Sequence, residues 1–404
     1  MNLKIAVDDF RKYLIKYQSL CTSTELQGKD GVLNYIKRVG CIQYDALNVV
    51  GRNADLVLQS RISDYSPNYL YELLYKDRKL VDELDKVMSI FAVEDWPYFQ
   101  RFREAAKYRY GGNPKLLEII EDVRQTIRDK GPVTSDDLDY KQSVAWSWAP
   151  TKLSRAALES MYFWGELIIE KKINARKVYD FADKYIDKSI LQAPDPNRTE
   201  EDFFDWYFLR RVGAIGALWN KSSDAWLGIP NFTASNRTAC IMRLMDKGLI
   251  EYVEVENLPI LFYIKTDCNI EKYLNMPFIP KMAILAPLDN LMWDRRFIDT
   301  VFNFDYKWEV YKPVIERKYG YYVLPVLFGD RFIARFEPLM DKKSGSLIIK
   351  NWWWEKDIVV NESILDNVII CFKNFMRYLD AKTLQIDSTI AKQEGLGCLV
   401  NLKI

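Results

Sequence analysis

Gln43 and Asp45 set an amide and a carboxylate two residues apart in the stretch GCIQYDALNVVGRN, residues 40–53. A carboxylate can stabilise developing positive charge or orient an attacking water, and a neighbouring amide can position either one. Ile42, Tyr44 and Ala46 alternate with Gln43 and Asp45, which predicts a strand with one apolar and one polar face. On such a strand, residues two apart point the same way, so the amide and the carboxylate can converge on one atom. Spacing alone also fits a plain solvated strand face.

The chain contains no histidine. That excludes Ser–His–Asp and Cys–His nucleophiles, imidazole bases and every histidine-ligated metal site. Carboxylates, amides, tyrosines or lysines must do any catalytic work. The six cysteines are scattered without a CxxC pair, which argues against a zinc knuckle or a disulfide framework and for a reduced cytosolic interior. No carboxylate cluster has ligand spacing either, so neither metal nor cofactor is expected. At 404 residues and 49% hydrophobic content, two to four domains are expected. A net charge of +1 excludes a uniformly basic coat but allows a basic groove balanced by acidic faces. The start MNLKIAVDDFRKYL turns charged too soon for a signal peptide, and no apolar run is long enough to span a bilayer.

The elements that must position the pair come from a repeat. A helix-like segment ends at Gly40 and an extended run follows it. The same order recurs around Gly165 and Gly248, where a strand, a turn and a second strand follow the glycine. Glycine suits the left-handed residue that ends a helix. Further helical stretches, KLLEIIEDVRQTIRDKGPVTSDDL and EEDFFDWYFLRRVGAIGALW, precede the second and third copies. Helix, turn, helix, glycine, strand, turn, strand is the order of a winged helix, a module that binds proteins as well as DNA. Three copies with basic wings favour nucleic acid. Lys152 and Arg155 fall on the second recognition helix, Lys171, Lys172 and Arg176 on its wing, and Arg237 and Arg243 on the third helix. Together they can neutralise phosphates, although solvated helix faces carry such charges too.

From about Pro280 the texture becomes aromatic and β-branched. FGDR makes a hairpin turn, Asn361 or Ser363 caps an amphipathic helix, and Trp353 of the WWW triplet faces opposite its neighbours if extended. The expected organisation is α+β, with winged helices over 1–100, 101–190 and 191–279 and a β-rich element, a small barrel or curved sheet, over 280–404.

Ala286-Pro287-Leu288-Asp289-Asn290, Trp293-Asp294-Arg295, Phe302-Asn303-Phe304-Asp305-Tyr306 and Gly320-Tyr321-Tyr322-Val323-Leu324-Pro325 follow one another at fixed spacing. This series resembles the YcaQ/AlkZ-like bacterial DNA glycosylases, whose motif opens on Ser-Pro-Phe-Asp-Asn. IQYDALNVVGRNADLVLQSRISDY is similar to that family's N-terminal signature, and SWAPTKLSRAALESMYFWGELII to its middle winged helix. The resemblance implies three tandem winged helices in a C-shaped arrangement with a β-rich C-terminal element, around a basic channel for duplex DNA. It also implies that Gln43-Tyr44-Asp45 is a catalytic Gln-x-Asp motif. An N-alkylated purine is already an activated leaving group, so the chemistry left to the protein is to stabilise charge on the sugar and direct a water. Arg52 and Arg61, just after the motif, are candidates to clamp flanking phosphates, with structural salt bridges as the other reading; Arg295 joins the candidate DNA-binding set.

Two stretches depart from the family. Arg52-Asn53-Ala54-Asp55 stands where relatives have Arg-Ala-His-His, and Lys86 falls on a histidine position within Asp82-Glu83-Leu84-Asp85-Lys86-Val87. The leading expectation is a monomeric, monofunctional glycosylase of the bacterial cytosol or nucleoid. It would act on double-stranded DNA with alkylated or crosslinked purines, without cofactor, metal or membrane. A non-catalytic winged-helix regulator or damage sensor is the alternative, and the basic wings disfavour a protein-interaction scaffold.

Overall fold

The computed structural model of the protein describes residues 3–111, 113–146 and 149–404, the side chain of Tyr110 excepted. Ser147 and Trp148, which open the SWAPTKL stretch quoted above, lie outside the described residues. The fold is α+β, with several small sheets and one larger one. It divides into two compact units, one built from 1–70, 84–90 and 201–404, the other from 71–83 and 91–200.

In the second unit, helix Pro114–Lys130 buries Leu116, Ile119, Ile120, Val123 and Ile127, a stripe at helical spacing. Asn113 caps it by accepting the Lys115 N–H at 3.1 Å. Helix Leu153–Phe163 follows, and Gly165, at φ 75°, turns the chain into the hairpin Leu167–Ile173 and Arg176–Phe181. Asn174 takes φ 57° in the hairpin turn. Left-handed backbone there suits the twist of a tight hairpin.

The first unit repeats that order. Helix Glu200–Ile215 precedes helix Ala234–Asp246, which ends near Gly248 at φ 66° and leads into the antiparallel strands Ile250–Val255 and Leu261–Lys265. The N-terminal strand Leu3–Ile5 runs parallel to Ile250–Val255 and completes this sheet. Helix Gly28–Val39 stops at Gly40, φ 77°, and the short strand Cys41–Gln43 follows.

The C-terminal element is a five-stranded sheet in the order Met282–Ile284, Leu324–Phe328, Arg331–Asp341, Ser346–Trp354, Thr383–Ile386. The first three junctions are antiparallel, and the Gly329–Asp330 turn of FGDR closes the second of them. The last junction is parallel and needs a crossover, which helix Glu362–Leu379 supplies. Asn361, not Ser363, caps that helix, accepting the Ile364 N–H at 2.9 Å. Alternation along Ser346–Trp354 buries Trp352 and leaves Trp353 half-buried on the other face, against Tyr319. Among the described residues no helix is long and apolar enough to cross a membrane.

Candidate active site

Strand Cys41–Gln43 is buried along its whole length and is held from two sides. Asn53 donates to the Gln43 carbonyl at 2.8 Å, and its own side-chain oxygen accepts the Leu288 N–H at 3.0 Å. Asn290 donates to the Cys41 carbonyl at 2.9 Å and to that of Ala214 at 3.3 Å. Between these two asparagines, Asp289 receives Arg61 in a fork of two 2.8 Å bonds. The stretch Ala286–Asn290 therefore acts as a brace, fixing the strand through backbone carbonyls whose lost partners would be costly.

The Gln43 side chain is also buried, and its amide oxygen accepts a hydrogen bond from the Lys86 ammonium at 3.2 Å. Lys86 is 5% exposed, with Nζ 5.2 Å from the Trp293 ring centroid. Burial, reinforced by the Arg211 charge, lowers its pKa to about 8. Asp85, next to it on the turn after Leu80–Leu84, pairs with Arg210 at 2.7 Å and Arg211 at 2.6 Å. Burial works to raise the Asp85 pKa, but the two guanidiniums win and hold it at about 2. Gly228, at φ 86°, lies against this turn so closely that a Cβ there would sit 2.0 Å from the Asp85 carbonyl oxygen. Only glycine fits that approach.

Asp45 differs from expectation in one respect. The strand ends at Gln43; the last link to the neighbouring strand Met88–Ala92 is the Tyr44 N–H donating to Met88 at 2.8 Å. Asp45 instead accepts the Leu47 N–H at 2.8 Å and stands half-buried in the loop beyond. An aspartate that bonds the backbone two residues on favours a turn over a sheet ladder, which is why the alternation breaks here. The two side chains are thus presented by a strand end and a turn, not by one strand face. Tyr322, whose hydroxyl pKa is raised first by burial and then by Tyr306 and Asp45, lies within reach of the carboxylate's field.

The basic residues separate into two kinds. Arg61 is fully buried and its guanidinium serves Asp289, so it has no exposed atom to offer a phosphate. Arg237 is buried, bonding Asn220 and the Phe232 carbonyl, each at 3.1 Å. Arg243 forks onto Asp205 at 2.7 and 3.1 Å. Arg295 lies over Tyr306 and donates to the Pro287 carbonyl, and burial lowers its pKa. Arg52 is half-buried at the start of helix Asn53–Gln59, where its charge reaches Asp55. In the second unit Lys172 is buried in an ion pair with Asp82. Lys152, Arg155 and Arg176 are exposed there and Lys171 half-exposed; Lys152, Lys171 and Arg176 lie 3.3 Å from Asp136, Glu170 and Asp136 respectively, and Arg155 donates to Glu159 at 2.9 Å.

One exposed feature has no counterpart in the sequence reading. In the segment between Phe302 and Tyr321, Tyr311, Val314 and Ile315 are 84%, 74% and 94% exposed. The loop is not loose. Glu309 accepts Lys312 Nζ at 2.8 Å and the N–H groups of Lys318 and Tyr319 at 2.9 and 3.0 Å, while Arg317 donates to the Lys312 carbonyl at 3.0 Å. Burial opposes ionisation of Glu309, yet these donors hold its pKa at about 2. The signal in the sequence was PVIE between basic residues, an apolar pair with nothing nearby of matching periodicity.

The fold matches that of Streptomyces sahachiroi DNA glycosylase AlkZ with a TM-score of 0.62 over 95% of this chain and 100% of that one, at 13% identity. At that identity the likeness is one of fold. The family model described as DNA glycosylase AlkZ-like matches residues 36–375, a span that holds Gln43, Asp45, Lys86, the 286–290 brace and the exposed loop. The chain belongs to the AlkZ-like DNA glycosylase family.

Proposed function

We propose that the protein is a monofunctional DNA glycosylase that hydrolyses the N-glycosidic bond of N-alkylated purines in duplex DNA, interstrand crosslinks included. Two helix–hairpin repeats of winged-helix order, around Gly165 and Gly248, serve with the helix and strand around Gly40 as its DNA-binding frame. The observation that carries the reading is the half-buried Asp45 carboxylate, displayed two residues beyond an amide that is braced through both its backbone and its side chain. A cationic alkylpurine leaves without acid assistance, and the absence of histidine costs such a reaction nothing. Asp45 stabilises the positive charge that builds on the deoxyribose, and Gln43 orients the water or the carboxylate. Exposed Lys152, Arg155 and Arg176 and half-exposed Lys171 supply phosphate contacts that carry no sequence preference. The braced loop adds an apolar tip, Val314–Ile315, between Lys312 and Arg317, the pattern of side chains that wedge into a base stack from the minor groove.

The test is release of 7-methylguanine and 3-methyladenine from methylated duplex DNA at saturating protein, with an unhooking assay on crosslinked duplex. Base release that depends on Asp45 supports the reading. Tight duplex binding with no base release would favour the second reading, a non-catalytic damage-binding protein. One observation speaks for that alternative: Lys86 places a cation beside Gln43, near where positive charge would have to develop.

A further inference from the structure

Lys86 and Gln43 are paired by a constraint that acts in one direction only. An ammonium has three donors and no acceptor, so the amide must turn its oxygen toward it and its NH2 group away. The 3.2 Å contact from Lys86 Nζ to Gln43 Oε1 has this arrangement. A neutral amine carries a lone pair. Once the proton leaves, the amide is free to rotate by half a turn and donate its NH2 to Nζ.

We propose that Lys86 is a positioning residue for Gln43, its ammonium setting which edge of the amide faces the catalytic carboxylate and the attacking water. In the protonated state the NH2 edge is offered, a donor matched to the Asp45 carboxylate or to the water oxygen. In the neutral state the amide oxygen turns that way and opposes the carboxylate, and excision slows. The proposal rests on the glycosidic reading of Gln43 and Asp45 and adds a regulator to it.

The surroundings tune the switch to a usable range. Arg211, from helix Glu200–Ile215, and Arg295, at the start of Arg295–Phe302, repel the ammonium. Asp224 and Cys41 favour it, and Trp293 presents its ring to it. Asp85, beside it in the chain, is already committed to Arg210 and Arg211. Burial pushes the Cys41 thiol up to about 12 and leaves it protonated, so Lys86, at about 8, is the group in this cluster that titrates at mildly alkaline pH. Burial under Trp293 keeps the amine from bulk water, which separates it from an ordinary surface lysine.

Two measurements test this on the full chain. The first needs no substrate: the side-chain amide signal of Gln43 in a 15N–1H spectrum, assigned with Gln43→Glu, is followed against pH. It is expected to shift with a midpoint near 8 in the wild type and to stay flat across that range in Lys86→Arg and Lys86→Met. The second is the single-turnover rate of 7-methylguanine release at saturating protein, with DNA binding measured at each pH. The wild-type rate is expected to fall through the same midpoint. Lys86→Met loses about tenfold or more at neutral pH without loss of DNA affinity, and Lys86→Arg recovers most of that loss without the alkaline limb. An amide signal that ignores pH, or wild-type rate and profile in Lys86→Met, overturns the proposal. An amide that titrates with Lys86 in a protein that releases no base upholds the positioning and sinks the glycosylase reading instead.

Discussion

Arg61 and Asp289 meet through two 2.8 Å bonds with both side chains fully buried, although 228 residues separate them in the chain. Asp289 also accepts the Leu291 N–H at 3.0 Å, and Arg61 reaches Gln18 and Ser60 as well. Removing one member leaves the other charged and unpaired in the core. Arg61→Met is therefore expected to lower unfolding free energy by about 3–5 kcal/mol, and Asp289→Ala by a similar amount. Chemical denaturation measures both. A phosphate-clamping Arg61 would instead leave stability unchanged and weaken DNA binding.

Asp45→Asn keeps the Leu47 turn, since an amide oxygen can accept the same N–H, but removes the negative charge. Fold and duplex affinity should persist while base release falls by about two orders of magnitude or more. Single-turnover excision measures this, and an unchanged rate would remove Asp45 from the mechanism.

The wing of the second unit holds two kinds of lysine. Binding to undamaged duplex should weaken with salt, each phosphate contact contributing about 0.9 to the log–log slope. Charge reversal at Lys171 and Arg176 is expected to flatten that slope with stability intact. Lys172→Glu, which sets a second carboxylate against Asp82 in a buried site, should unfold the unit before any binding is lost. Salt titrations and melting curves on the same variants separate the two cases.

Replacing Val314 and Ile315 together by serine removes the apolar tip while Glu309 continues to brace the loop. Duplex affinity should fall by about 1–3 kcal/mol, or roughly five- to 150-fold, with no change in melting temperature. Equal affinity of the variant and wild type for duplex DNA would make the tip a bystander.

Asp85 gives a pH signature of stability. Its carboxylate, at about 2 in the fold against an ordinary value of 3.8, stabilises the folded state fully above the higher value and loses that contribution as pH falls through the lower one. The contribution is on the order of 2 kcal/mol. The gap in unfolding free energy between wild type and Asp85→Asn should be widest above pH 4 and narrow as pH approaches 2. A gap independent of pH would mean that the triad with Arg210 and Arg211 does not hold the carboxylate ionised.

Local chemistry was legible in the sequence and long-range pairing was not. Gly40, Gly165 and Gly248 mark helix ends because a left-handed residue there depends on nothing distant. The FGDR turn and the Asn361 cap are local for the same reason. Gln43 and Asp45 stand out by their types, but alternation and an aspartate turn look alike over five residues, so alternation predicts a strand to Ala46, past its end at Gln43. Asn53 shows the other limit. Its work is to join Gln43 to Leu288, and nothing near position 53 reveals that partner. Lys172 reads as a wing charge because Asp82, which buries it, lies ninety residues upstream.

The strand Leu3–Ile5 lies along Ile250–Val255, so it is made long before the other strands of its sheet. Residues 71–83 and 91–200 form a unit of their own within that interval. At roughly 5–20 residues per second, the leading strand waits on the order of ten to fifty seconds on the ribosome before its partner emerges. The inserted unit can complete itself during that wait, while the unit that carries Gln43 and Asp45 closes last. A nascent chain stalled short of Ile250 would hold a finished inserted unit and an unassembled larger one, with Leu3 and Ile5 still exposed to chaperones.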